Sequence, residues 1–177
     1  MGGVGRRPGE EDGRGSADVS GASGSAADLV AVLTRRGLTI AVAESLTGGL
    51  LVAELIAVPG ASVVVRGGVV AYATDLKAEL LGVDADLLAA SGPIHPDVAR
   101  QMADGVRGRL GADIGIATTG VAGPDSQDGH APGEVWLGFA IGGDVTAVGL
   151  ALGGDRESIR RDTVSESLSR LRDLLPE

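Results

Sequence analysis

The chain has 177 residues, 44% of them apolar, and a formal net charge of −9, which suits one domain with a core of Ala, Val, Leu and Ile. Its acidity (pI about 4.6) opposes binding to a phosphate backbone, so no nucleic-acid partner is expected. The absence of cysteine excludes disulfides, thiolate zinc sites and a cysteine nucleophile and fits a cytoplasmic setting, while no apolar run approaches the roughly 20 residues of a membrane helix, so no membrane partner is expected.

Residues 1–25 are rich in Gly, Ser, Asp and Arg and have no hydrophobic segment behind the paired arginines. They are expected to form a disordered tail rather than a signal peptide, with a folded domain over 26–177. Leu29, Val30, Val32 and Leu33 follow at near-helical spacing, and Gly37 ends that helix. "LTIAVA" (38–43) suits a short buried strand. In "SLTGGLLVAELIAVPG" (45–60), Ser45 or Thr47 is expected to cap a helix through Leu50, Leu51, Glu54 and Leu55 that Pro59-Gly60 ends. "ASVVVRGGVVAYA" (61–73) reads as strand, with Gly67-Gly68 marking either a bulge or a break.

"TDLKAELLG" (74–82) predicts a short helix capped by Thr74 or Asp75, and a second short helix follows Asp84. In "HPDVARQMADGVRGRLG" (95–111) Pro96 opens a helix that carries Val98, Met102 and Val106 on one face. "ADIGIATTG" (112–120) is a strand entering a Gly-rich loop; "EVWLGFAIGG" and "DVTAVGLALGG" form a strand pair around a Gly-Gly-Asp turn; an amphipathic helix starts at Asp155. Helices alternate with apolar strands and then two strands adjoin. The fold class is therefore α/β, a single-domain three-layer α/β/α sandwich with a mixed central sheet.

Chemistry concentrates in few places. Tyr72 is the only tyrosine, and Lys77, five positions on, is the only lysine beside fourteen arginines. Ser45 sits between a buried strand and a helix, where the N–H groups of Leu46 through Gly49 suit an oxyanion or phosphate. Ser45 is then either a nucleophile or simply a cap. A serine nucleophile needs a base, and lysine serves when burial lowers its pKa, whereas arginine stays protonated. Lys77 is either that base, with the Tyr72 phenol relaying a proton or holding the amine, or a surface residue paired with a nearby acid. The loop "TTGVAGPD" (118–125) leaves the C-terminal end of a strand, where α/β sheets place ligands, and Arg156 suits a phosphate. Thr47, Gly48, Gly49, Thr119, Gly120, Gly123 and Arg156 are thus the candidate substrate-binding residues. Asp113, Asp125, Asp128 and His130 are too irregularly spaced for a metal site, and neither metal nor cofactor is expected.

The blocks "AVAESLTGG", "GGVVAYATDLKAELLGV", "TGVAGPD", "PGEVWLGFA" and "GGDRESIRR", in this order, resemble the CinA C-terminal domain family, whose members include nicotinamide mononucleotide deamidases. The resemblance covers residues 27 to 175. It implies an α/β/α fold and hydrolysis of a nicotinamide nucleotide's carboxamide to a carboxylate with release of ammonia, with Ser45, Tyr72 and Lys77 matching the family's proposed catalytic residues. Longer members add an N-terminal domain with a metal-dependent pyrophosphatase activity, which is not expected behind so short a tail. The chain departs from the family at Thr74, His95 and Glu134, the last expected to bring negative charge near a phosphate-bearing substrate. Two alternatives stand beside deamidation: a non-catalytic nucleotide-binding module, and an amidase for another small carboxamide. The sequence leaves a homo-oligomer open.

Overall fold

The structure, a computed structural model, describes residue 1 and residues 23–175. The tail expected over residues 1–25 lies outside the described residues but for its two ends, and Ser23 already begins the first helix. In chain order the elements are α1 (Ser23–Arg36), β1 (Ile40–Glu44), α2 (Leu50–Ile56), a single 3-10 turn (Ala61–Val63), β2 (Val65–Val70), α3 (Thr74–Leu81), α4 (Ala85–Ser91), α5 (Pro96–Leu110), β3 (Ile114–Gly120), β4 (Glu134–Ile141), β5 (Asp144–Ala151) and α6 (Arg156–Leu174).

Among the described residues five strands form one mixed sheet in the order β2-β1-β3-β4-β5. β1 runs parallel to β2 and β3, and β3, β4 and β5 are antiparallel in turn. Side chains alternate across each strand. Ile40 and Val42 of β1, Ile114 and Ile116 of β3 and Leu137 and Phe139 of β4 meet Leu29, Leu33, Leu51, Leu55, Ile159 and Leu168 from α1, α2 and α6. On the opposite face Ala41, Ala43, Ala117 and Ala140 meet Leu81, Leu88, Val98, Met102 and Val106 from α3, α4 and α5. This is the three-layer α/β/α sandwich.

The second face is lined with small residues because α5 lies almost on the strand backbone. A Cβ built on Gly138 would stand 2.0 Å from the Ala99 carbonyl oxygen, and one on Gly115 1.9 Å from that of Ala103. Val98, Met102 and Val106 are fully buried along that contact, as their spacing predicts.

Three local expectations are corrected. β2 runs through Gly67-Gly68 without a break, and its bulge falls one step earlier: Ile40 pairs with Val65 and Ala41 with Gly67, leaving Arg66 unpaired. α3 has Ala73 at its N-cap without a side-chain cap, so neither Thr74 nor Asp75 serves. At α2 neither Ser45 nor Thr47 is the cap; the N-cap is Gly49, left-handed at φ 99°, and what replaces a side-chain cap there shapes the site.

Candidate active site

The site forms where β1 leaves the centre of the sheet. Glu44 ends β1 opposite Thr118 of β3, and the Ser45 N–H still donates to the Thr118 carbonyl at 2.9 Å. The chain then turns through left-handed Gly48 and Gly49 into α2. Glu44 is fully buried, and its carboxylate folds back under this turn. It accepts hydrogen bonds from the N–H groups of Gly49 (2.9 Å), Leu51 (3.0 Å) and Val52 (2.9 Å). The positive end of α2 is thus neutralised by the chain's own carboxylate. Thr47 shares a hydrogen bond with Thr118 between hydroxyls 2.8 Å apart.

This narrows the expected anion-binding turn. The Gly49 N–H is held by Glu44 and the Gly48 N–H by the Ser45 carbonyl at 3.1 Å. Among the described residues, only the N–H groups of Leu46 and Thr47 in this turn have no acceptor. Gly48 and Gly49 fall outside the walls of the neighbouring cleft and their N–H groups already have partners; of Thr47, the hydroxyl is engaged by Thr118 and only the N–H is left without an acceptor among the described residues.

Lys77 lies on α3 with 1% of its surface exposed. Its Nζ donates to the carbonyl oxygens of Ala71 at 2.8 Å and Tyr72 at 3.4 Å and lies 3.2 Å from Ser45 Oγ. Among the described residues no carboxylate forms a salt bridge with it. Burial strips water from the ammonium and lowers its pKa from 10.5 to about 8, against a smaller upward pull from the Asp75 charge. The surface ion pair considered from sequence is therefore excluded.

Tyr72 is close to Lys77 in a different way from that expected. Its backbone carbonyl reaches the amine, but its ring is 61% exposed and its hydroxyl lies 3.3 Å from Arg156 Nη2. The phenol holds the arginine and makes no bond to the amine. Arg156 also donates to the Gly123 carbonyl at 2.7 Å, so residues from three separated segments meet at one rim.

Between Ser45 and this rim lies a cleft of about 120 Å³, walled by Ser45, Leu46, Tyr72, Lys77, Thr119, Gly120, Gly123 and Arg156, together with Thr74, Pro93, Ile94, Val121, Ala122, Asp125 and Gln127. The Thr119 hydroxyl is turned onto the Pro93 carbonyl at 2.7 Å. Glu134 is not on the wall; its carboxylate is 2.7 Å from His130 Nδ1. Of the residues weighed as metal ligands, Asp113 accepts from Thr39 N (2.8 Å) and Oγ1 (2.7 Å) at the far end of β3.

Glu44 and Arg160 were missed from sequence. Arg160 donates to the carbonyls of Leu46 and Thr47, each at 2.9 Å. The only local signal for Glu44 was an acidic residue closing an otherwise apolar strand; Arg160 had none beyond lying one turn after Arg156.

Comparison with known proteins gives a consistent result. A family model described as the CinA C-terminal domain matches residues 22–175. The chain is 48% identical over 148 residues to a CinA-like protein of Gemmatimonas aurantiaca, covering 83% of this chain and 35% of that protein. It is also 48% identical over 147 residues to one of Frankia casuarinae, covering 83% and 34%. The chain thus spans about a third of the length of these curated relatives. Among solved structures, a competence-damaged protein (CinA) superfamily protein from Escherichia coli superposes with a TM-score of 0.85 at 31% identity, covering 90% of this chain and 93% of that one. A competence/damage inducible protein from Agrobacterium tumefaciens superposes with a TM-score of 0.83 at 34% identity, covering 86% and 94%.

Proposed function

The chain belongs to the CinA C-terminal domain family, and from that premise we propose that it is an amidohydrolase that deamidates nicotinamide mononucleotide to nicotinate mononucleotide and ammonia. The observation that carries this reading is the buried Lys77 amine, without a salt-bridge acid among the described residues, 3.2 Å from Ser45 Oγ. Two carbonyls occupy two N–H groups of the amine, so the lone pair of its neutral form faces the serine hydroxyl.

Neutral Lys77 takes the Ser45 proton as Oγ attacks the carboxamide carbon. The carbonyl oxygen gains the displaced electron pair and accepts from the N–H groups of Leu46 and Thr47. The intermediate collapses with cleavage of the C–N bond, and the Lys77 ammonium protonates the departing nitrogen as ammonia. Water then attacks the acyl-enzyme ester with Lys77 again as base, which frees the carboxylate and restores Ser45. The cleft volume of about 120 Å³ approaches that of a cavity holding one six-membered ring. The carboxamide edge of a nicotinamide ring would enter the cleft, with the rest of the ring and its ribose phosphate extending to Tyr72 and Arg156.

Purified protein incubated with nicotinamide mononucleotide tests the proposal. Stoichiometric ammonia is expected from the wild type and none from Ser45→Ala or Lys77→Arg. Nucleotide binding without ammonia would turn the reading toward a binding module. Turnover of free nicotinamide but not of the nucleotide would turn it toward a different amidase.

A further inference from the structure

We propose that Arg160 is a positioning residue that orients and polarises the oxyanion-donating peptide beside Ser45; the inference rests on the serine-nucleophile reading above. Arg160 and Arg156 are one turn apart on α6, yet they serve different places. Arg156 reaches Gly123 O and the Tyr72 hydroxyl at the rim. Arg160 is 114 residues from Leu46 in sequence, but its Nε donates to Leu46 O and its Nη2 to Thr47 O, each at 2.9 Å. Its neighbour Arg161 is paired with Glu157. Arg160 itself has no carboxylate partner among the described residues, and its charge rests on the turn's carbonyls.

The Leu46 carbonyl and the Thr47 N–H belong to one planar trans peptide, so they point in opposite directions. Binding the carbonyl to Arg160 aims the N–H away from α6. Leu46 and Thr47 are buried, and their N–H groups meet no acceptor among the described residues. Buried N–H groups without acceptors are rare in folded proteins. Here two stand immediately after the candidate nucleophile, which suits a ligand oxygen that arrives during reaction. A guanidinium on the carbonyl end also strengthens the donor at the other end, because hydrogen bonds in series polarise one another. Glu44 holds Gly49, Leu51 and Val52, so the turn is tied by side chains at both its carbonyls and its following N–H groups. One planar fork spans both carbonyls, which a lysine ammonium does not reproduce.

The test compares Arg160→Ala, Arg160→Lys and Arg156→Ala with the wild type in ammonia release from nicotinamide mononucleotide, with thermal midpoints measured alongside. Loss of one oxyanion donor lowers kcat by about 10²-fold or more. Arg160→Ala is expected to approach that loss with KM within about threefold, to recover part of it in millimolar guanidinium, and to contrast with Arg156→Ala, which raises KM. An unchanged kcat, a rise in KM alone, or a loss that guanidinium does not relieve would overturn the proposal. Should Arg160→Ala fail to fold, Arg160→Lys decides: a fall in kcat at an unchanged midpoint upholds it, and full kcat overturns it. Should the wild type release no ammonia, the deamidase reading fails separately. The rate at which a fluorophosphonate labels Ser45 then decides, slower labelling in Arg160→Ala upholding the proposal and equal labelling overturning it.

Discussion

The cleft has a floor and a rim, and they are built on opposite principles. Along and beneath the floor, Lys77 and, behind it, Glu44, Thr47 and Thr118 are buried, and their polar side-chain atoms are bonded to partners within the fold. At the rim, Tyr72 is largely exposed and its hydroxyl has a single long contact to Arg156, with exposed Asp125 and Gln127 alongside. A buried polar group left unpaired is costly, so the floor admits few changes. A solvated rim group exchanges protein contacts for water at little cost, which leaves it free to follow the substrate. The chemistry should therefore depend on the floor, and substrate affinity on the rim.

That division can be broken most severely at Lys77. Replacement by Met retains an apolar side chain of similar length but no base. Ammonia release should fall by about 10³-fold or more, measured with circular dichroism to show the fold retained. Full activity would remove the floor from the chemistry. Next in size is Glu44→Ala, which leaves the N–H groups of Gly49, Leu51 and Val52, one buried and two half-buried, without their acceptor. Urea unfolding should show a loss of about 2–5 kcal/mol, and a loss below about 0.5 kcal/mol would contradict the role given to the carboxylate.

The pH dependence follows. The folded pKa of about 8 lies below the ordinary 10.5, so the unfolded chain holds the proton that the folded protein has lost between those values. Folding stability from this group rises with pH across that window, and its penalty is fully present below pH 8. Wild-type stability relative to Lys77→Met should improve from pH 8 to 10.5. In the proposed mechanism Lys77 acts as the neutral amine, so kcat/KM should climb to a plateau above pH 8 and stand about tenfold lower at pH 7. The smallest effects belong to the rim: Tyr72→Phe should raise KM a few-fold (about 3-fold from one weak hydrogen bond) with kcat nearly unchanged. A collapse of kcat there would move the phenol from the rim into the chemistry.

Much of this was legible in the chain. Apolar patterning together with Gly, Pro and cap residues located the helices and strands of the described residues to within a few positions, and the isolation of one lysine among arginines singled out Lys77. What escaped has a common physical cause. The α2 cap rule looks to the residue at the helix start, whereas the acceptor is Glu44, folded back beneath a two-glycine turn. Arg160 acts across 114 residues, a distance no local pattern carries. Tyr72 was correctly placed beside Lys77, but proximity in sequence did not distinguish its carbonyl, which touches the amine, from its phenol, which faces Arg156.

The central claim is that Lys77 is a buried amine, partly neutral near physiological pH, facing Ser45. Because it is the only lysine, protein labelled with ¹⁵N-lysine yields one side-chain amine signal, whose titration reads this group alone. The account predicts a midpoint at about 8, together with a change in that signal in Ser45→Ala. A midpoint near 10.5, the value of a lysine in water, with no response to Ser45→Ala would contradict it.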